Sequence, residues 1–327
     1  MVMTRKLTLA VSLAAIAALA AVAACQGPTV RGFKEPMKLG GKVVPAEVLS
    51  RGERGYMLYC RACHGDKGDA KGPSAPGLRP PPRDFTLGAF KFAAVPGGTL
   101  PHDEDLLRIV RGGLHGTAML AWDGVPERTL QAIIQYIKTF SPRWQKEEPG
   151  QAIVVPPDPF AAKPADGVAR GSKLYHGVAM CLGCHPAYVS KREIDAASRE
   201  LAGRPTTDFR PGMYASELKD SDYGVRLLPP DFTFAEMRSI RPDHRLADLF
   251  RVIASGVGGT DMPTWKDSLP DEELWALAHY VDSLMALRGT PAAAELRRRN
   301  EAADASWTPP PPPPPPPPAP PPESSPK

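Results

Sequence analysis

Two copies of one short motif constrain this chain more than any other feature. Each copy consists of a cysteine, two further residues, a second cysteine and a histidine. Positions i, i+3 and i+4 share one face of a helical turn, so both thiols and the imidazole point the same way. Thiols at this spacing bond the two vinyl groups of haem, and the adjacent imidazole reaches the iron. The motif residues are Cys60, Cys63 and His64 in the first copy, and Cys181, Cys184 and His185 in the second.

Three other interpretations of paired cysteines fit this chain less well. A thioredoxin-like redox pair belongs to a strand-rich βαβ setting, which the sequence does not indicate. A zinc site needs two ligand pairs close together, whereas Cys63 and Cys181 are more than a hundred residues apart. A structural disulfide would not need the histidine that follows. We therefore predict two covalently bound haem c groups, each with one iron.

The N-terminus predicts export and lipid attachment. Two basic residues precede an apolar stretch, residues 7–24, that ends in small residues before Cys25. This is the layout of a secretory signal peptide, and Val22-Ala23-Ala24-Cys25 resembles the lipobox of bacterial lipoproteins. The resemblance implies cleavage after residue 24 and lipid on Cys25, which also explains the odd fifth cysteine.

Two alternatives to the lipoprotein signal stay open. One is an uncleaved membrane helix, for which the eighteen residues available are near the lower limit, and the other is a simple cleaved signal. All three place the rest of the chain outside the cytoplasm, on the periplasmic side of a bacterial membrane. Gln26 stands where aspartate would resemble the inner-membrane retention signal, so the outer membrane is slightly favoured.

The two motifs stand in a longer repeat. After each motif the segment Asp-Phe-Thr occurs, at 84–86 and 231–233, followed by Gly-Thr-Xaa-Met at 116–119 and 259–262. So many matches in one order indicate duplication. The main difference is an insert after the second motif, at about residues 188–228.

The repeat and the prolines divide the chain. A length of 327 residues predicts about two domains. The unbroken run Pro309–Pro318 favours an extended polyproline helix outside any packed core. We predict a signal peptide at 1–24, a tether at 25–45, haem domain 1 at 46–148, a Pro-rich linker at 149–164, haem domain 2 at 165–290 and a disordered Pro-rich tail at 291–327.

Apolar residues recur at helical spacing in both domains, and no run of alternating residues indicates a strand. The predicted fold class is therefore all-α, with two tandem domains. The predicted helices are 46–60, 103–111 and 127–140 in domain 1, and 166–180, 244–254 and 271–287 in domain 2.

The repeat also predicts the sixth iron ligand. A thioether sulfur favours ferrous iron and raises its potential. Met119 and Met262 occupy equivalent positions, each on a loop before the last helix of its domain, whereas a methionine elsewhere is usually core filler. His115 is a rival for the first iron and would lower its potential, and His244 is a weaker rival for the second.

These features resemble the class of small, soluble cytochrome c domains with histidine and methionine ligation, here in tandem. The resemblance implies that the helix leading into each motif crosses the last helix of its domain, with Tyr136 and Tyr280 at the crossings. Gly72-Pro73 resembles the family's Gly-Pro. There the proline carbonyl accepts a hydrogen bond from the iron-ligating histidine, which implies that Pro73 orients His64.

The second domain departs from the family pattern. Pro186 replaces the usual glycine after the histidine, and no Gly-x-Gly-Pro follows. No partner can therefore be named for His185. The insert either shields a haem edge, docks a partner or is a solvated loop.

Four further residues have expected roles near the haems. Trp122 and Trp265 are expected to pack near the haem or its propionates, with plain core packing as the alternative. Arg79 and Arg83 are candidates for pairing with propionates, with solvation as the alternative.

Filled fifth and sixth iron positions leave no open site for a substrate, which favours an electron carrier. It would work in a respiratory chain, between a quinol-oxidising complex or dehydrogenase and a terminal oxidase or reductase. The alternatives are a dihaem enzyme or enzyme subunit, peroxidase-like or thiosulfate-oxidising, with one open haem, and a haem-based redox sensor. The net charge of +4 is too small to indicate nucleic acid. The expected partners are redox proteins and, through the lipid, the membrane.

Overall fold

The structure is a computed structural model that describes residues 30–206 and 208–308. The predicted signal peptide, the lipidation site Cys25 and the proline run from Pro309 lie outside the described residues. No helix in those two ranges combines the length and the apolar character needed to cross a bilayer.

Helices make up nearly all of the regular structure, which confirms the predicted all-α fold class. A short antiparallel hairpin, β1 (Met37–Leu39) and β2 (Lys42–Val44), precedes them. The helices are α1 (Ala46–Tyr59), α2 (Arg61–His64), α3 (Asp103–Gly112), α4 (Glu127–Lys138), α5 (Arg143–Lys146), α6 (Pro164–Gly177), α7 (Lys191–Ala202), α8 (Arg245–Ser255), α9 (Asp271–Met285) and α10 (Pro291–Asp304), with 3₁₀ turns at Cys181–Gly183 and Pro242–His244.

The first unit, residues 30–150, is built on the crossing of α1 and α4. Gly52 lies where the two helices meet, and a Cβ at this position would overlap the carbonyl oxygen of Ala132. The close approach therefore requires glycine. Tyr56 and Tyr136 pack at the same crossing, with 5.3 Å between their ring centroids.

The second unit, residues 151–308, has its own hydrophobic core and repeats this crossing with α6 and α9. A Cβ at Gly171 would overlap the carbonyl oxygen of Ala276. Tyr175 and Tyr280 pack there with 5.5 Å between their ring centroids. Both tyrosines named from the resemblance, Tyr136 and Tyr280, thus lie at helix crossings.

The β1–β2 hairpin and helix α7 are among the elements that were not predicted from the sequence. The β1–β2 hairpin buries Leu39 and Val44, although each strand is only three residues long. Helix α7 lies within the insert and begins with a capping box formed by Ser190 and Glu193.

The prediction of a disordered tail from residue 291 was wrong over its first part, because α10 spans Pro291–Asp304. Most side chains of α10 are polar or alanine, so the sequence shows little apolar periodicity. Leu296 packs against the core of the second unit, and polar contacts also hold the helix. The backbone N–H of Lys191 donates to Asp304 at 2.8 Å, and the Tyr214 hydroxyl donates to the same carboxylate at 2.7 Å.

The helix predicted over 166–180 ends earlier than expected. Helix α6 stops at Gly177, Met180 adopts a left-handed conformation with φ 49°, and a 3₁₀ turn carries the first motif cysteine. The first unit differs, since α2 (Arg61–His64) follows α1 almost directly.

Spacing explains this break. Cys181 follows Tyr175 by six positions, whereas Cys60 follows Tyr56 by four. Two extra residues in an unbroken helix would rotate the motif by about 200° around the helix axis. Helix α6 therefore ends before the motif. The motif then keeps the same direction relative to Tyr175 as the first motif has relative to Tyr56.

Backbone hydrogen bonds join the two units. The Gly258 N–H donates to the Lys91 carbonyl at 3.1 Å, and the His115 N–H donates to the Arg238 carbonyl at 2.9 Å. His115 and Gly258 each stand four positions before a predicted ligand methionine. Both methionine loops therefore lie at the contact between the units.

Replacing Gly52 by alanine is expected to destabilise the first unit by about 1–3 kcal/mol, because the added methyl group forces α1 and α4 apart. Urea unfolding of the holoprotein measures the change. Gly124→Ala is the control, since a Cβ at Gly124 meets no atom within 4 Å and should change the stability by less than about 0.5 kcal/mol. Equal effects of the two substitutions would show that the crossing does not need its glycine.

Candidate haem sites

Both cysteine motifs form a single helical turn. The His64 N–H donates to the Cys60 carbonyl at 3.0 Å, and the His185 N–H donates to the Cys181 carbonyl at 2.9 Å. Burial raises the pKa of Cys60 to about 12 and that of Cys181 to about 12. A redox-active pair needs a lowered thiol pKa, so this environment suits thiols that become thioethers.

Each motif histidine is oriented by a backbone carbonyl. His64 Nδ1 lies 3.0 Å from the Arg83 oxygen, and His185 Nδ1 lies 2.9 Å from the Pro230 oxygen. A carbonyl only accepts, so Nδ1 carries the hydrogen and Nε2 remains available for a metal. Burial lowers the pKa of both imidazoles, which favours this neutral form.

The expectation that Pro73 orients His64 was wrong. The loop containing Pro73 folds back onto the motif, where the Ser74 N–H donates to the Ala62 carbonyl at 2.8 Å. Pro73 itself is exposed. The acceptor is Arg83, which comes directly before the repeated Asp-Phe-Thr segment. Pro230 holds the same place in the second unit and supplies the partner that the sequence did not reveal.

The Asp-Phe-Thr segment stabilises this carbonyl. Asp84 accepts hydrogen bonds from the backbone N–H and the hydroxyl of Thr86, at 2.8 and 2.6 Å, and closes a tight turn. Phe85 stacks on His64 with 4.5 Å between ring centroids. Asp231, Thr233, Phe232 and His185 repeat both contacts. The sequence showed the repeat of this segment but not its role.

A buried tyrosine fixes the residue after each motif histidine. The Tyr56 hydroxyl donates to the Gly65 carbonyl at 2.7 Å, and the Tyr175 hydroxyl donates to the Pro186 carbonyl at 2.9 Å. The unusual proline at 186 therefore keeps the contact that glycine makes in the first unit, because only its carbonyl is used.

The two predicted ligand methionines lie on loops closed by the same hydrogen bonds. In the first unit the Leu114 N–H donates to the Met119 carbonyl at 2.9 Å. The Thr117 hydroxyl donates to the Leu114 carbonyl at 2.8 Å and accepts from the Met119 N–H at 3.1 Å. Val257, Thr260 and Met262 repeat all three bonds, at 3.2, 2.7 and 3.2 Å.

A glycine with positive φ begins each methionine loop, and neither glycine was predicted from the sequence. Gly113 has φ +65° and Gly256 has φ +72°, a region that other residues rarely adopt. A Cβ there would stand 2.7 Å from the carbonyl oxygen of Met119 or Met262. The loops thus have one backbone shape in both units.

The two rival histidines and Trp122 lie in different environments. His244 is exposed on a 3₁₀ turn. His115 is half-buried, and its Nε2 is shielded from solvent without a hydrogen-bond partner in the described part of the chain. Such an imidazole nitrogen fits either an iron or a haem carboxylate, so His115 remains a rival to Met119. Trp122 packs on Tyr59 with 5.5 Å between ring centroids.

Three cations gather at the contact between the units. Arg83, Lys91 and Arg238 are half-buried, and none forms an ion pair with a carboxylate of the described residues. Burial lowers the pKa of all three, that of Lys91 to about 8. Buried cations require anions, and the carboxylates of haem fit this need. Arg79, the other candidate, is exposed and bonds the adjacent carbonyl of Leu78.

A polar chain found only in the second unit supports its histidine turn. His176 is fully buried, with Nδ1 2.7 Å from the Ser172 carbonyl. Its Nε2 accepts from the Tyr188 N–H at 3.1 Å. The Tyr188 hydroxyl donates to Asp231 at 3.1 Å and accepts from the Phe232 N–H at 2.8 Å. No pattern in the sequence indicated this network.

Three comparisons with known proteins found similarities that each cover more than half of the chain. The family model described as cytochrome C oxidase, cbb3-type, subunit III matches residues 47–137 and 166–281. Cytochrome c4 from Stutzerimonas stutzeri is 28% identical over 174 residues, which are 53% of this chain and 72% of that protein. A chain of the Kuenenia stuttgartiensis reducing HAO-like protein complex matches with a TM-score of 0.56 and 29% identity, covering 72% of this chain and 95% of that chain.

Acid is expected to destabilise the second unit through His176. Burial lowers the pKa of His176 to about 4 from the ordinary value of 6.5. Between these values the unfolded chain binds the proton and the folded chain does not, so stability falls as the pH decreases from about 6.5 towards 4.

Urea unfolding at pH 7 and pH 4.5 measures this loss, and His176→Gln should reduce it because the titrating group is gone. His244→Gln is the control, since His244 is exposed, and should leave the loss unchanged. If His176→Gln has no effect on the pH dependence, other groups cause it.

Proposed function

Since the chain belongs to the family described as cytochrome C oxidase, cbb3-type, subunit III, we propose that it is a periplasmic, membrane-anchored electron carrier of a respiratory chain. It would accept electrons from a quinol-oxidising complex or a dehydrogenase and deliver them to a terminal oxidase or reductase. The tandem of cytochrome c domains and the two covalent haem c groups, predicted from the sequence, are confirmed by the family match and by the similarity to cytochrome c4.

One observation carries the choice of a carrier over an enzyme. Met119 and Met262 lie on loops closed by the same set of hydrogen bonds. An enzyme would need one open or displaceable iron position, and its two loops would differ. We propose that His64 with Met119, and His185 with Met262, ligate the two irons, and that residues 46–148 and 165–290 form one haem domain each.

Bound haem supplies reversible one-electron chemistry. The chain contributes position and environment. The carbonyls of Arg83 and Pro230 hold each imidazole with its hydrogen on Nδ1, and the stacked phenylalanines prevent the rings from turning. The two threonine-closed loops would hold each thioether in place beside bound haem, so that electron transfer would need little reorganisation of the chain.

Membrane attachment through Cys25 belongs to the same proposal. The residue stands between the apolar stretch and the first described residue, Val30. The mature chain would therefore be tied to the membrane by a short tether, within reach of membrane-bound redox partners.

A second candidate function is that of a subunit that passes electrons within a larger protein complex. The match to a chain of the Kuenenia stuttgartiensis reducing HAO-like protein complex favours it. Size-exclusion chromatography of membranes solubilised from the native source, followed by haem absorbance, separates the two. A free carrier elutes at the mass of the chain, and a subunit elutes with its complex.

Removing either methionine is expected to open one iron. The reduced wild-type protein should bind no carbon monoxide and show two waves of positive potential in an optical titration. Met119→Ala and Met262→Ala should each bind one carbon monoxide per chain and lower the potential of one haem, because the thioether favours ferrous iron.

His115→Gln is the matched control and should bind none. If His115→Gln opens the first iron while Met119→Ala does not, His115 is the ligand. A carbon monoxide adduct of the wild-type protein would favour an enzyme with an open haem.

Cys25→Ser is expected to move the protein from the membrane fraction to the soluble periplasmic fraction, because no thiol remains to carry lipid. Haem staining of the two fractions after ultracentrifugation measures the distribution. An unchanged membrane fraction would indicate an uncleaved apolar helix instead, which a larger apparent mass on a gel would reveal.

A further inference from the structure

We infer that Tyr223, in the insert of the second unit, is a positioning residue for both haem sites. It contacts the residue that orients the first iron-ligating histidine and the loop that carries the second predicted ligand methionine. The inference rests on the ligation proposed above. It gives the insert a role that the sequence left open, which is to couple the two iron sites.

The first contact lies on the side of the first haem site. The guanidinium of Arg83 stacks 3.6 Å from the centroid of the Tyr223 ring, and the Lys91 ammonium lies 5.1 Å from it. An aromatic face attracts cations, most strongly when both groups are partly desolvated. The Arg83 carbonyl accepts the hydrogen bond of His64 Nδ1. The tyrosine of one unit therefore holds the residue that orients the histidine of the other.

The second contact lies on the side of the second haem site. The Tyr223 hydroxyl donates to the Gly258 carbonyl at 2.7 Å. The N–H of Asp222 donates to the Gly259 carbonyl at 3.1 Å. Gly258 and Gly259 belong to the loop that ends in Met262. The insert therefore supports the backbone on which the predicted sulfur ligand is carried.

The contact between Tyr223 and the methionine loop leaves no space for a side chain at position 259. Gly259 has φ +68°, and a Cβ there would stand 2.7 Å from the Tyr223 ring. The Gly258 N–H donates to the Lys91 carbonyl at 3.1 Å. The contacts thus close a ring that runs from Tyr223 to Gly258, to Lys91 and back to the tyrosine.

The contacts of Tyr223 are asymmetric between the two units. Asp84 follows His64 by 20 positions in the first unit, whereas Asp231 follows His185 by 46 positions in the second. The longer interval contains Tyr223, which reaches Arg83 and Lys91 of the first unit. Tyr223 therefore ties the residue that orients His64 to the loop that carries Met262, whereas the loop that carries Met119 meets the second unit through the hydrogen bond from the His115 N–H to the Arg238 carbonyl.

Two variants of Tyr223 separate the two contacts. Tyr223→Phe keeps the aromatic face for Arg83 but loses the hydrogen bond to Gly258. Tyr223→Leu loses both. Phe234→Leu is the matched control, because Phe234 is an aromatic residue of the same unit whose side chain is 83% exposed. All three are compared with the wild type as full-length holoproteins.

The readouts are the two midpoint potentials and carbon monoxide binding to the reduced protein. The NMR signals of the ligand methionine methyl groups assign each change to one haem. Tyr223→Phe is expected to lower the reduced-to-oxidised ratio of the second haem at fixed potential by about three- to tenfold, and to leave the first unchanged. Tyr223→Leu is expected to lower both ratios by similar factors, and to allow partial carbon monoxide binding at the second haem.

The midpoint potentials of the variants decide whether Tyr223 supports both haem sites. Unchanged potentials in Tyr223→Leu, or a change at one haem only, would overturn the inference. So would equal changes in all three variants, which would indicate general loosening of the second unit. Carbon monoxide binding by the wild-type protein would contradict the proposed ligation instead, and the role of Tyr223 would still be decided by the two potentials.

Discussion

The close crossing of the first and last helix in each unit is the constraint on which both haem sites depend. At Gly52 and Gly171 a hydrogen atom faces the carbonyl of the opposing helix, and any side chain would separate the helices. The short distance brings Tyr56 and Tyr175 into the core, where each hydroxyl reaches the carbonyl after a motif histidine. The motif turn is therefore fixed to the helix pair rather than to a flexible loop, which suits a site that must change oxidation state with little movement.

The duplication preserved geometry more closely than sequence. Both histidines bond the carbonyl before Asp-Phe-Thr. Both methionine loops share three hydrogen bonds, although Leu114 corresponds to Val257, His115 to Gly258 and Ala118 to Asp261. The second unit absorbs two extra residues before its motif by ending α6 at Gly177. Its network of His176, Tyr188 and Asp231 adds polar support on the side where the helix is broken. The motif turn is therefore under stronger structural constraint than α6, the helix that leads to it.

The sequence predicts those features whose signal is local or repeated. The attachment residues, the helices and the two methionines are predicted by motifs, periodicity and the repeat, and the family resemblance implies how the helices pair. The acceptor for His64 could not be predicted, because a backbone carbonyl 19 positions away has no side-chain signature, and the family analogy pointed to Pro73 instead. Helix α10 was missed because its contacts, such as Tyr214 with Asp304, are polar and distant in sequence. The role of Tyr223 depends on how the two units pack against each other. Hydrophobic periodicity within a helix carries no information about that packing.

The charge between the units links haem binding to their association. Arg83, Lys91 and Arg238 are brought together where solvent is partly excluded. Burial and then the two neighbouring guanidiniums lower the pKa of Lys91 to about 8. Like charges so placed repel, and the nearby Tyr223 ring offsets only part of that repulsion. The carboxylates of haem c would supply the missing negative charge. A group that binds only when the two units are in contact stabilises that contact. The contact between the units is therefore expected to be tightest when both haems are attached. Cofactor insertion would then complete the folding of the interface as well as of each site.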